Sequence, residues 1–82
     1  MKNNIKQLAN SFLKNKSSEE MGDFLKGILT PKEMVELSTR LEIVRMLKQG
    51  TPQHIIAEEL GVGVATVTRG SKELQQGRFK NV

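Results

Sequence analysis

The stretch Thr51–Leu74, TPQHIIAEELGVGVATVTRGSKEL, decides the reading of the chain. It predicts two helices joined by a tight turn. Thr51 offers an N-cap hydroxyl, and Pro52 suits a first helical position, where a missing N–H costs nothing. Ile55, Ile56, Ala57 and Leu60 give the first helix an apolar side. Gly61 and Gly63 bracket Val62, the punctuation of a short turn between helices. The second helix is predicted from about Val64 to Leu74. The stretch as a whole reads as a helix-turn-helix.

The second helix separates into three faces at about 100° per residue. Val67, Gly70, Ser71 and Leu74 share one sector, branched apolar and small, suited to close packing on a neighbouring helix. Val64, Ala65, Thr68 and Lys72 share a second, short and mixed, suited to a DNA major groove. Thr66, Arg69 and Glu73 form a third that neither packing nor groove contact uses. The alternative reading of the same stretch is a helical hairpin inside any small α-domain.

Outward from this stretch, Thr30-Pro31-Lys32-Glu33 opens a preceding helix with a T-x-x-E capping box and proline at its first position. Met34, Leu37, Leu41 and Val44 form an apolar line, with Ile43 and Leu47 beside it. This scaffold helix is predicted to run to about Gln49 and stop at Gly50. Before it, Met21, Phe24, Leu25, Ile28 and Leu29 carry the i, i+3, i+4 stripe of a second helix, with Ser18 as N-cap and Glu19 and Glu20 in the first turn. Gly22 and Gly27 weaken that helix, and Gly27 admits close approach of another backbone or a ligand. Ile5, Leu8, Ala9, Phe12 and Leu13 predict a first helix over about Asn3–Lys14. Beyond Leu74, Gly77 ends the last helix and Arg78, Phe79 and Lys80 make a short basic tail.

Composition bounds the rest. Eighty-two residues with three Phe and no Trp, Tyr or Cys hold one small domain with no disulfide and no thiolate metal site. So small a core points to oligomerisation for extra buried area. The formal charge is +4. Residues 1–16 contribute +4, residues 17–60 contribute −3 and residues 61–82 contribute +3, so basic ends flank a mildly acidic middle. That distribution suits a polyanion. No apolar run is long enough for a membrane span, and the basic start lacks a signal-peptide core. The expected compartment is the cytoplasm, at the nucleoid. Enzyme motifs are absent: no catalytic triad, no carboxylate pair, and no G-K-[ST] after the glycines of GVGVATVTRG. His54 reads as exposed to solvent or DNA rather than as a base.

The segments LTPKE (Leu29–Glu33), STRLEIV (Ser38–Val44) and ELGVGVATVTRGS (Glu59–Ser71), in this order and near-family spacing, resemble the Trp repressor family over Leu29–Leu74. The resemblance implies an all-α fold of about five short helices with a C-terminal helix-turn-helix, in an intertwined homodimer. Within one domain, residues 1–29 would be dimerisation helices, 30–50 the scaffold, 51–75 the helix-turn-helix and 76–82 the tail. It also gives the third face a purpose. L-tryptophan would act as corepressor, its carboxylate on Arg69 and on Thr30 of the second copy, its indole covered by Arg40. Thr66, Gly70 and Ile43 would line the pocket, with the Leu29 carbonyl and Glu73 near the ligand amino group. Gln53, His54, Gly63, Val64, Ala65 and Thr68 occupy the family's DNA-contact positions, with Lys72 added from the groove-facing sector.

The chain departs from the family pattern in places. Glu73 replaces a small hydroxyl residue, Lys72 an amide, Gly27 a leucine, and Ala57 a basic DNA-contacting residue. One residue is missing between Gly50 and Gln53, and the family's final helix has no counterpart. The expected function is a tryptophan-responsive, operator-binding repressor that is not an enzyme and needs no metal. The alternatives are a relative that binds DNA without tryptophan, and a small helical protein-binding adaptor.

Overall fold

A computed structural model describes residues 4–82, and every regular element among them is an α-helix. Five helices are present there: α1 Asn4–Leu13, α2 Ser18–Ile28, α3 Pro31–Lys48, α4 Gln53–Leu60 and α5 Val64–Gln75. The expected α1 start at Asn3 lies outside the described residues. The chain forms two compact units, one ending at Met34 and the other spanning Val35–Val82.

In the first unit, Phe12 of α1 and Phe24 of α2 meet edge to face, ring centroids 5.2 Å apart and planes at 76°. Ile5, Leu8, Leu13 and Ile28 of the same apolar stripes stay exposed. The α2 N-cap is Ser17, not Ser18. The Ser17 hydroxyl accepts from the Glu20 N–H at 3.1 Å, and the Glu20 carboxylate accepts from the Lys16 N–H at 2.8 Å. Only a cap at Ser17 has a glutamate three residues on; from Ser18 that position is Met21, which accepts nothing. The capping box of α3 forms as the sequence predicts. Thr30 Oγ1 accepts from the Glu33 N–H at 3.1 Å, and the Glu33 carboxylate accepts from the Thr30 N–H at 2.9 Å.

The second unit is organised around Ile43, Ile56 and Val67, one from each of α3, α4 and α5, all at most 1% exposed. Met46, Leu47, Ala57, Leu60 and Val62 pack around them. The apolar line of α3 therefore divides. Ile43 and Val44 are buried, whereas Leu37 and Leu41, placed in the same line by sequence, are exposed with Val35. α4 and α5 cover only the C-terminal half of the helix with their apolar sides.

The end of α3 corrects the predicted cap of α4. Gly50 takes φ +85°, its N–H reaches the Leu47 carbonyl at 3.0 Å, and the Thr51 N–H reaches the Met46 carbonyl at 3.1 Å. These paired bonds are a Schellman closure, so Thr51 serves the end of α3. Pro52 takes the N-cap place of α4, with φ −60° and ψ 144° and no side-chain capping bond. The turn into α5 runs through Gly61 in the left-handed region and Gly63 in the extended region.

Candidate ligand pocket and nucleic-acid face

Gly70 sets how closely α5 lies on α3. A methyl group at this position would stand 3.2 Å from Ile43 Cγ2 and 3.7 Å from Leu47 Cδ1. Beside this contact a cavity of about 420 Å³ opens within the second unit. Arg40, Ile43 and Val44, at i, i+3 and i+4 of α3, form one side. Thr66, Arg69 and Glu73, successive turns of α5, form the other with Ala65 and Gly70.

The buried Ile43 and Val44 make the cavity floor apolar, while Arg40 and Arg69 are exposed at its edge. Among the described residues neither guanidinium has a hydrogen bond or ion pair. The i, i+4 spacing of Arg69 and Glu73 would allow a surface ion pair, but Glu73 Oε2 instead lies 3.3 Å from Arg78 Nε. Both side chains of that pair are more than a third exposed, so it contributes little stability. Two unpaired guanidiniums over an apolar floor can hold a small molecule bearing a carboxylate and a flat apolar body.

Of the residues predicted for a ligand, Arg40, Ile43, Thr66, Arg69, Gly70 and Glu73 line this one cavity. Leu29 and Thr30 belong to the first unit, where Thr30 caps α3. The Thr30 hydroxyl accepts one bond there and retains its own proton to donate. Three lining residues escaped the ligand assignment: Val44, Ala65 and Phe79. Val44 lies one turn beyond Arg40, a visible spacing. Ala65 reads by periodicity as groove-facing, and it sits at the border of the two faces. Phe79 gives no periodic signal, because a turn rather than a helix delivers it.

That turn begins at Gly77, with φ +90°. The Arg78 N–H donates to the Glu73 carbonyl at 3.2 Å and the Gly77 N–H to that of Leu74 at 3.1 Å, a second Schellman closure. It reverses the chain, so the expected basic tail folds back. Lys48 Nζ, at the end of α3, donates to the main-chain oxygens of Phe79 at 2.5 Å and Val82 at 2.8 Å.

The residues predicted to meet DNA lie at the start of α4 and along α5. His54, Gly63, Val64, Ala65 and Lys72 are exposed, and Val64 shows 53% of its surface. Gln53 and Thr68 are half-buried and joined, Thr68 Oγ1 standing 2.8 Å from Gln53 Oε1 and 3.0 Å from the Val64 carbonyl. That bond ties the two helices of the hairpin at its exposed side. Among the described residues no cluster of His, Cys, Asp or Glu is placed to hold a metal, and no helix is long and apolar enough to cross a membrane.

Comparison with known proteins places this architecture. An uncharacterized protein, YerC, of Bacillus subtilis is 38% identical over 73 residues, covering 89% of this chain and 70% of the relative. A Trp operon repressor homolog of Photobacterium profundum is 46% identical over 65 residues, 77% of this chain and 63% of the relative. Another, from Vibrio cholerae serotype O1, is 49% identical over 49 residues, 58% of this chain and 48% of the relative. The chain thus spans between 48% and 70% of the length of these relatives. No solved structure matches it. The family model described as Trp repressor protein matches residues 3–81, and the chain belongs to that family.

Proposed function

We propose that this chain is a sequence-specific DNA-binding repressor that works as a homodimer at the nucleoid, with L-tryptophan as corepressor. The family is one of transcription regulators, not enzymes. In this reading residues 1–29 dimerise, 30–50 form the scaffold, 51–75 read the operator and 76–82 form a basic tail. Val64, Ala65, Thr68 and Lys72 meet the major groove, with Gln53, His54 and Gly63 at its edge. No side chain caps α4 or α5, which leaves their first N–H groups to phosphate oxygens.

One observation carries the ligand reading: Arg40 and Arg69, unpaired among the described residues, flank a cavity floored by Ile43 and Val44. Arg69 takes the carboxylate in its planar fork and Arg40 covers the ring. Thr30 of a second copy donates its remaining hydroxyl proton, with the Leu29 carbonyl near the ligand ammonium. A second reading, DNA binding without tryptophan, is favoured by Glu73, whose side chain lines the pocket and would repel a ligand carboxylate.

Isothermal titration with L-tryptophan decides between them. Binding that is abolished in Arg69→Ala, with the variant still folded and its DNA affinity no longer tryptophan-dependent, is the expected result. No heat at millimolar tryptophan from a protein that holds DNA tightly selects the ligand-independent reading.

A further inference from the structure

We propose that the tail from Gly77 to Val82 is a wall of the Arg40–Arg69 pocket and selects its ligand, Phe79 supplying an aromatic surface and Arg78 neutralising Glu73, so that the pocket takes a small aromatic carboxylate. The proposal rests on the reading of this cavity as a ligand site.

Two features hold the tail in place, and a third shows that it is constrained. Gly77 reverses the chain through a conformation that only glycine adopts readily. Lys48 clasps the tail at two main-chain oxygens, Phe79 and Val82, and the Val82 N–H returns to the Phe79 carbonyl at 3.2 Å. Phe79 itself has φ +64°, an uncommon conformation for a bulky residue, which persists where surrounding contacts over-determine it. The outcome of these constraints is that Phe79 lines the cavity while 37% of the residue remains exposed. A ring so placed has surface left for a flat ligand to cover.

Arg78 acts on charge. Without it the pocket would carry Arg40 and Arg69 against an unpaired Glu73, and an entering carboxylate would meet a like charge. The 3.3 Å contact between Arg78 and Glu73 leaves two cations uncompensated around the cavity. The same five-residue step that closes α5 brings Arg78 to Glu73, so ring and counter-charge arrive together.

The test is calorimetry of the full chain with two probes, L-tryptophan and indole-3-acetate, the second lacking the ammonium. Phe79→Ala is expected to weaken both about three- to tenfold and Phe79→Tyr to keep wild-type affinity, since the ring face is what counts. Arg78→Gln is expected to weaken indole-3-acetate, and adding Glu73→Gln to restore it. A rescue of this kind separates charge neutralisation from loss of fold. Wild-type affinity in Phe79→Ala overturns the wall while the ligand site stands. Tighter binding in Phe79→Ala overturns it in favour of a plug. No heat with either probe from the wild-type chain removes the ligand site and the wall together.

Discussion

Gly70 carries two demands at once. It lies on the packing sector of α5 and also lines the cavity, so its missing side chain sets both the α3–α5 distance and the pocket wall. Gly70→Ala gains about 0.8–1 kcal/mol of helix propensity. It also drives a methyl group to 3.2 Å from Ile43 Cγ2, so that this core side chain, 1% exposed, must shift by a few tenths of an ångström. Overpacking of this kind costs about 1–3 kcal/mol. The expected net is a loss of about 1 kcal/mol, with weaker ligand binding, read from urea melts and calorimetry. At Gly27 the balance reverses. A methyl group there meets nothing within 4 Å, so Gly27→Ala is expected to stabilise by about 0.5–1 kcal/mol. A less stable Gly27→Ala protein would show that another backbone approaches Gly27, as its sequence context first indicated. Thr66, Arg69 and Glu73 could be grouped from sequence because they keep helical spacing along α5, whereas Arg40, on α3, joined them only through the family resemblance. Phe79 could not, since its position depends on a left-handed glycine, a strained φ and a lysine 31 residues away.

α2 and α3 begin where side chains bond the first N–H groups, α3 and α5 end where carbonyls find partners, and most of these ends were readable from residue types. The T-x-x-E box at Thr30 predicts the start of α3, and Gly50 its stop. The errors are single-residue shifts with definite causes. At α2, acidity of the first turn pointed to Ser18, whereas the Glu20 N–H donates to the Ser17 hydroxyl and the Glu20 carboxylate accepts from the Lys16 N–H, which selects Ser17. At α4, Thr51 has the right side chain but spends its N–H closing α3. Ser17→Ala is therefore expected to lower stability by about 1 kcal/mol, and Thr30→Ala by a similar amount. Ser18→Ala is expected to leave stability unchanged or slightly raised. Thermal denaturation of the three variants side by side checks the assignment, and equal losses at Ser17 and Ser18 would refute it. In the hairpin, Thr68→Ala removes the hydroxyl from Gln53 as well as from any base edge. Its expected cost in operator affinity is about 1–3 kcal/mol. Gln53→Ala and the double variant on the same operator report whether the two act as one unit, because coupled residues give losses that do not add.

At the scale of the whole molecule, the balance of apolar surface decides. Among the described residues four hydrophobic side chains are buried, Ile43, Val44, Ile56 and Val67, and three of the four belong to or adjoin the helix-turn-helix. Against them Ile5 at 83%, Leu13 at 77% and Val35 at 65% stand in water, with Leu37 and Leu41 also exposed on α3. Scattered exposed leucines are ordinary, but stripes left uncovered on three helices are apolar surface that a second copy can cover. A second copy is the occupant that the proposed function requires, and in that reading it would bring Thr30 and Leu29 to the pocket in the same step. The expected mass by analytical ultracentrifugation at micromolar concentration is about twice that of one chain. Leu41→Glu buries a charge at that contact and is expected to yield monomers that lose operator affinity without altering the helix-turn-helix. The salt dependence then separates the interfaces. Wild-type DNA affinity is expected to fall steeply and linearly in log–log form with added salt, since Lys and Arg release counterions from phosphates. A dimer held by apolar contacts is expected to persist through the same titration. A folded monomer that binds operator as tightly as the wild-type chain would break the link between the exposed stripes and DNA reading.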